Sequence, residues 1–395
     1  ATPVSILPPI MLALGYSSFV AIALPALGYD ALCTYALLGV PVVVFSGFVG
    51  LPVEEVGGYF ARFMPVISTC IALGMLWIVG GWKMVGRGLL PALLSGLTAG
   101  FIAIGMNALH LTPLTGVAAG LGVVLVMLLY LRLMRKPLRD RGVLSEADRV
   151  MEKRLPLWAA LAPWLILVFF ATIVNLPALP FYTLTFQTLA MPVEIIPSAP
   201  EKVRLFWQAY FWIMVSTLLA LPLLKPNRQQ MGAALKKWLK RAPRPMLASA
   251  VFFAIAYLMN HSGKDLSWTL VDPSQNMIAV LANASAALFG RFYPLAAPYL
   301  GLLAGFVSGS EASAIAMLTK LHLTTADKIG AVGLLVAAVS GIGGGLASVI
   351  SPAKLQNASA AIGKIGEEAG VLRVTFVISV VITAVAAIMA MVWAF

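Results

Sequence analysis

Apolar residues run in long blocks along this chain, and polar residues gather in a few short intervals between them. The apolar blocks cover approximately 4–27, 31–51, 64–80, 88–108, 111–134, 157–176, 207–224, 246–262, 274–290, 293–319, 329–350 and 371–394. Most are apolar on every side rather than along one stripe, the pattern of helices that face lipid or lie wholly buried. A helix needs about 20 residues, at a 1.5 Å rise, to cross a hydrocarbon layer of about 30 Å. The pattern therefore predicts an all-α polytopic membrane protein with about 10–12 membrane segments. Several blocks are too short or too interrupted to be plain spans, and these predict re-entrant or broken helices.

Composition agrees. Of 395 residues, 61% are hydrophobic and 11% are charged, against about 25% charged in a soluble domain. Too little polar surface is left to wet a globular enzyme, so that class is excluded. The net charge of +12 would suggest nucleic acid in a soluble chain, but here the basic residues sit in loops and report topology. Loop 131–156 carries eight basic residues against four acids, and loop 225–245 carries seven and no acid. Two spans separate these loops, so both are expected on the cytoplasmic side, with the weakly charged loop 177–206 outside. Walking back two spans puts Lys83 and Arg87 inside as well. Within 225–245, Leu235, Trp238 and Leu239 share one helical face among lysines, which suits a short helix lying on an anionic leaflet.

The expected organisation is a first membrane half over 1–134, with a tip near 28–41, followed by the cytoplasmic loop 135–156. Two linking spans cover 157–224 around the external loop, and the basic amphipathic loop 225–245 follows. A second membrane repeat over 246–395 carries a hairpin tip at 308–314 and a broken helix at 340–363. No basic segment precedes the first apolar block, so no cleavable signal is expected. Cys33 and Cys70 form neither a metal spacing nor a disulfide scaffold. Neither a metal nor a cofactor is expected, and no catalytic constellation or nucleotide fingerprint can be assembled.

Hydrocarbon tolerates non-helical backbone only where protein or a water-filled cavity covers it. Polar and helix-breaking clusters inside apolar blocks therefore mark the candidate site. The first spans Gly28-Tyr29-Asp30 to Thr34, Tyr35, Gly39 and Pro41. The second is Ser308-Gly309-Ser310-Glu311-Ala312-Ser313. The third runs from Ser340 and Gly343-Gly344-Gly345 to Ser351-Pro352, Lys354, Gln356 and Asn357. Small residues at 340–347 also suit close helix packing, and Asp30 also suits a loop between two spans. Glu311 is harder to dismiss, because an ionised carboxylate at mid-membrane costs at least about 2.5–3.5 kcal/mol. Broken helices offer free N–H groups and a positive dipole end to a small anion, and opposed half-helices are the usual architecture of secondary transporters. Transport of a small anion is the function expected from the residues. His110 and His322 sit at span ends as ordinary interfacial residues. His261, after Tyr257 and Asn260, reads as a capping residue or a proton relay.

Several segments resemble the lactate permease family. They are LPPIMLALG at 7–15, ALLGVPVVVFSGFVGL at 36–51, GWKMVGRGLLPALL at 81–94, FAIAYLMNHSG at 253–263, APYLGLLAGFVSGSEASA at 297–314 and ISPAKLQNASAAIGKIGEEAGVLR at 350–373. The resemblance implies proton-coupled uptake of L-lactate, D-lactate or glycolate across the cytoplasmic membrane. It also implies an inverted-repeat, elevator-like architecture in which re-entrant hairpins meet at the substrate. Carried onto this chain, Ser308, Gly309, Ser310, Ser313, Ser351, Pro352, Lys354, Gln356 and Asn357 would bind substrate, and Glu311 with Asp30 would carry the proton. Thr34, Tyr257, Asn260 and His261 would support them, and 28–35 would be the first-half counterpart of the hairpin tip.

The departures are specific. Glu311 stands where the family often has Asp or Asn, Ser348 where some members have Lys, and Tyr29-Asp30 where many have Asn-Thr. Family members usually carry further N-terminal spans, so a short first repeat is expected. The expected partners are a small organic anion, protons and the lipid bilayer, with a homodimer as an option and no nucleic acid. The alternatives are a sodium-coupled or other organic-anion transporter, or a transporter half that needs a partner chain.

Overall fold

A backbone in hydrocarbon must satisfy its polar groups internally, and this chain does so with helices. The computed structural model describes residues 2–138, 155–176, 178–196 and 199–395. Its contacts divide the chain into two units, Ala1–Leu138 with Ser249–Phe395, and Arg139–Ala248. Most of the basic loop 131–156 lies outside the described residues.

The larger unit begins with helices α1 (Thr2–Ala13), α2 (Ser18–Asp30), α3 (Ala36–Val49), α4 (Val53–Ala61), α5 (Met64–Ala108) and α6 (Thr115–Leu133). The smaller unit holds α7 (Ala162–Asn175), α8 (Ala209–Leu224) and α9 (Arg228–Arg241). Helix α10 (Pro243–His261) leads back to the larger unit. There follow α11 (Met277–Phe289), α12 (Tyr293–Ser308), α13 (Glu311–Ile329), α14 (Gly333–Leu346), α15 (Pro352–Ala361) and α16 (Glu368–Trp393). Among the described residues, five helical stretches are long and apolar enough to cross a membrane, and the bent pair α2–α3 adds another candidate. The fold is that of an all-α polytopic membrane protein.

The apolar blocks are cut where the local chemistry demands it. Block 4–27 divides at Gly15, which takes a left-handed φ of 86°, and Ser17 then caps α2 by accepting from Val20 N at 3.3 Å. Block 293–319 divides at Gly309, with φ 67°, and Ser310. The 45-residue α5 is two antiparallel arms, because Gly80 and Gly81 leave helical geometry and Gly81 takes φ 62° and ψ −157°. The arms approach closely: a Cβ on Gly96 would lie 2.4 Å from Thr69 Cα, and one on Gly100 would lie 2.2 Å from Pro65. Blocks 64–80 and 88–108 are thus separate spans, and the turn between them lies next to Lys83 and Arg87. One face of α6, through Leu121, Leu125, Leu129 and Leu133, is exposed, as a lipid-facing helix requires.

At the centre of the larger unit, α14 is buried from Leu335 to Leu346. Its glycines let α12 approach backbone to backbone, since a Cβ on Gly343 would meet Pro298 O at 2.0 Å. Around it, α13 packs along α3, and α1 along α15. Each half of the sequence thus lays one helix against the distal arm of the other half's broken helix.

In the smaller unit α7 packs on α8, where Phe170 stacks on Trp212 with ring centroids 4.7 Å apart. The linking segment carries a short antiparallel hairpin, Met191–Ile196 with Ala199–Val203. Helix α9 opens with a capping box between Asn227 and Gln230. Leu235, Trp238 and Leu239 are exposed along it.

Candidate functional site

Two helix breaks face one another. The first separates α2 from α3, which are bent by 68°, with the single turn Cys33–Tyr35 between them. Left-handed geometry at Leu37, Leu38 and Gly39 then redirects the chain before Pro41. The second break separates α14 from α15 with the turn Ser348–Ile350, and Ser351-Pro352 starts the new helix. Residues 28–35 therefore form a helix break with one short turn, as do 347–351, whereas 309–310 is the tight tip of the α12–α13 hairpin.

Bonds between distant parts of the sequence hold these pieces together. Asp30 ends α2, where the helix dipole is negative and a carboxylate needs positive partners. Its Oδ2 accepts from the backbone N–H of Val349 at 3.1 Å. Thr34 donates to Glu311 Oε1 at 2.5 Å. Cys33 Sγ lies 3.8 Å from Ser348 Oγ. The Lys354 ammonium donates to Ser348 Oγ and sits 4.8 Å from the centroid of the Tyr29 ring, on its face. Lys354 thus brings its charge to position 348. It has no carboxylate at ion-pair distance; among the described residues the ion pair is Lys364 with Glu367, at 3.7 Å. Its partners are a hydroxyl and an aromatic face, both neutral.

Asp30 and Glu311 are only 5% and 3% exposed. Each has one carboxyl oxygen bonded and one buried without a partner, Oδ1 of Asp30 and Oε2 of Glu311. Glu311 rests on α14, where a Cβ on Gly345 would come within 2.7 Å of Oε2. Ser313 Oγ is a third buried atom without a partner. Ser308 and Ser310 are engaged locally: Ser308 Oγ accepts from Ser310 N, and Ser310 Oγ caps α13 by accepting from Ser313 N. Ser351 is buried beside the tip, with its Oγ 3.1 Å from where a Gly309 Cβ would stand. The N-termini of α13 and α15 are therefore neighbours, and together they present positive dipole ends to one place.

The remaining candidates lie outside this cluster of contacts. Pro352, Gln356 and Asn357 are exposed on α15, whose buried positions are Leu355, Ala358 and Ser359. On α10 the Tyr257 ring meets Phe48 and His261, His261 meets Trp268, and Asn260 O accepts from Asn276 Nδ2 at 3.3 Å. His322 is a correction to the sequence reading. It is fully buried rather than interfacial, and its Nδ1 pairs with Tyr293 OH at 2.8 Å across the two hairpin arms. Sequence reasoning gave no role to Cys33, signalled only by its position three residues after Asp30 in the break, and it placed Gly345 in the third cluster without its contact to Glu311.

The family model for L-lactate permease matches residues 1–395. The L-lactate permease of Salmonella typhimurium is 24% identical, covering 96% of this chain and 72% of the relative. The L-lactate permease of Bacillus subtilis is 22% identical over 94% of this chain and 71% of its own length. The glycolate permease GlcA of Escherichia coli is 23% identical, covering 100% of this chain and 74% of the relative. No solved structure matches. These relatives are permeases, not enzymes, and their match over nearly all of an apolar, helical chain makes it a multi-pass transporter of the cell membrane. Matched end to end by one family model, the chain belongs to the L-lactate permease family.

Proposed function

We propose that this chain is a proton-coupled symporter of small 2-hydroxy monocarboxylates, L-lactate first, with D-lactate and glycolate as related substrates. One observation carries the reading: a lysine ammonium amid membrane helices, held by neutral partners, stands beside two buried carboxyls that each keep an oxygen unpartnered. Such an ammonium has no carboxylate at ion-pair distance among the described residues, and a substrate carboxylate supplies one. The N-termini of α13 and α15 add backbone dipoles of the right sign. Ser313, buried with a free hydroxyl, reads the 2-hydroxyl, with Ser310 at the same tip as a further candidate. Asp30 and Glu311 take the proton, because in hydrocarbon a carboxyl is far cheaper neutral than ionised. One anion moving with one proton carries no net charge, so membrane potential has little leverage. Loops 131–156 and 225–245 face the cytoplasm in this reading. The names of the relatives, L-lactate permease and glycolate permease, support the substrate class.

The test is uptake of radiolabelled L-lactate into proteoliposomes under an inward proton gradient, with the gradient then collapsed by an ionophore. Accumulation that follows the gradient and is indifferent to replacing sodium by choline is expected. Accumulation that follows sodium instead overturns proton coupling, and no uptake of lactate or glycolate overturns the substrate class.

A further inference from the structure

At the junction of the two breaks the charged groups are the carboxyls of Asp30 and Glu311 and the ammonium of Lys354. Tyr29, Cys33 and Tyr35 are the other titratable side chains there. A thiol and a phenol carry no charge in their protonated forms, so the charge count rests on the two carboxyls and the ammonium. With both carboxyls ionised the group carries one net negative charge, and a substrate carboxylate would double it. In these surroundings an uncompensated charge is strongly disfavoured. One proton on the two carboxyls makes the empty site neutral; a second proton is needed to keep it neutral once the anion has entered.

The geometry gives both carboxyls equal means of taking that proton. Asp30 is anchored through Oδ2 by Val349 N, and Glu311 through Oε1 by Thr34. The other oxygen of each is buried and unpartnered. Each anchor comes from the opposite half of the sequence, so neither carboxyl depends on the other for its position.

We propose that Asp30 and Glu311 form a dyad holding one resident proton, and that the transported proton fills the second carboxyl as the substrate carboxylate docks on Lys354. The inference rests on the symport reading and goes beyond it, because it makes the two carboxyls interchangeable as coupling groups. The ledger balances. The proton enters from the outer face onto whichever free oxygen is ionised, forms an O–H bond there, and leaves to the inner face with the substrate. The resident proton stays.

The experiment measures protons entering per lactate in weakly buffered proteoliposomes, alongside counterflow exchange of preloaded lactate. Wild type, Asp30→Asn and Glu311→Gln are each expected to move one proton per lactate without net charge, the single variants with displaced pH profiles. In the double variant Asp30→Asn/Glu311→Gln the lone Lys354 charge is neutralised by substrate alone. Counterflow persists there, proton movement disappears, and net uptake becomes driven by an inside-positive potential. Loss of proton movement in only one single variant overturns the dyad while leaving symport standing. Wild-type uptake without protons overturns symport as well. Should the double variant fail to fold, proton uptake on lactate binding to each purified single variant decides: one proton in both supports the dyad, and none in either one overturns it.

Discussion

Gly345 makes room for Glu311, and adding one methyl group there tests the arrangement of the site. A Cβ at this position would stand 2.7 Å from Glu311 Oε2, 3.0 Å from its Cδ and 3.5 Å from Cys33 Cβ. Ordinary contact begins at 3.4 Å, so the carboxyl must retreat by about 0.7 Å. It cannot do so freely, because Thr34 holds Oε1 at 2.5 Å. Overpacking of this size costs about 1–3 kcal/mol, and each 1.4 kcal/mol is a factor of about ten in rate or affinity. Gly345→Ala is therefore expected to lower kcat/KM for L-lactate uptake about 10- to 100-fold, with the protein still monodisperse in detergent. Shortening the acid should relieve the clash, so adding Glu311→Asp in the Gly345→Ala background is expected to recover a large part of the loss. Uptake by Gly345→Ala within twofold of wild type would refute the placement of Glu311 against α14. So would a folded double variant with no recovery.

Four further outcomes are expected. Lys354→Met removes the site's cation, and isothermal titration should show no lactate binding while the melting temperature holds. Thr34→Val unties Glu311 and is expected to displace the pH profile of uptake, and Thr34→Ser, which keeps the donor, should restore it. Tyr293→Phe leaves His322 buried with neither ring nitrogen bonded. An unmade buried bond costs about 1–3 kcal/mol, so thermal melting should fall while transport per folded molecule is kept. On α9, changing Lys236, Lys237 and Lys240 to Gln removes about 1 kcal/mol of attraction to anionic lipid per lysine. Brominated anionic lipid should then quench Trp238 less, as judged against Trp238→Phe.

Much of this was legible in the sequence because hydrocarbon enforces simple rules. Gly309-Ser310 and Ser351-Pro352 end helices by local chemistry, and Glu311 and Lys354 are conspicuous because charge is costly in an apolar block. The fold-back of α5 is signalled by Gly80-Gly81, placed between two blocks of spanning length. The cross-links were not legible. Thr34 meets Glu311 across 277 positions and Asp30 meets Val349 across 319, and no local pattern encodes which break faces which. Gln356 and Asn357 fall outside the cluster for a reason the helical period contains: Leu355, Ala358 and Ser359 define the buried face of α15, and 356 and 357 lie off it. His322 misled because position at a span end suggests water, whereas its partner Tyr293 is supplied by the other arm of the hairpin.

The two breaks also explain each other. A broken helix leaves orphan groups at each new end, and in an apolar interior those groups must find partners or cost free energy. Here the second break supplies the first with the Val349 N–H for Asp30, and the first supplies the hairpin tip with the Thr34 hydroxyl for Glu311. What the breaks do not satisfy is equally defined: one oxygen on each carboxyl, the hydroxyl of Ser313, and a lysine with no carboxylate at ion-pair distance among the described residues. In the proposed reading, two acceptors suited to protons, one hydroxyl and one cation are what a protonated site for a small hydroxy-carboxylate requires. The polar contacts that the breaks do make fix the positions of Asp30 and Glu311. A continuous helix at either position would pair its backbone within itself and leave neither a donor for Asp30 nor an N-terminus for the anion.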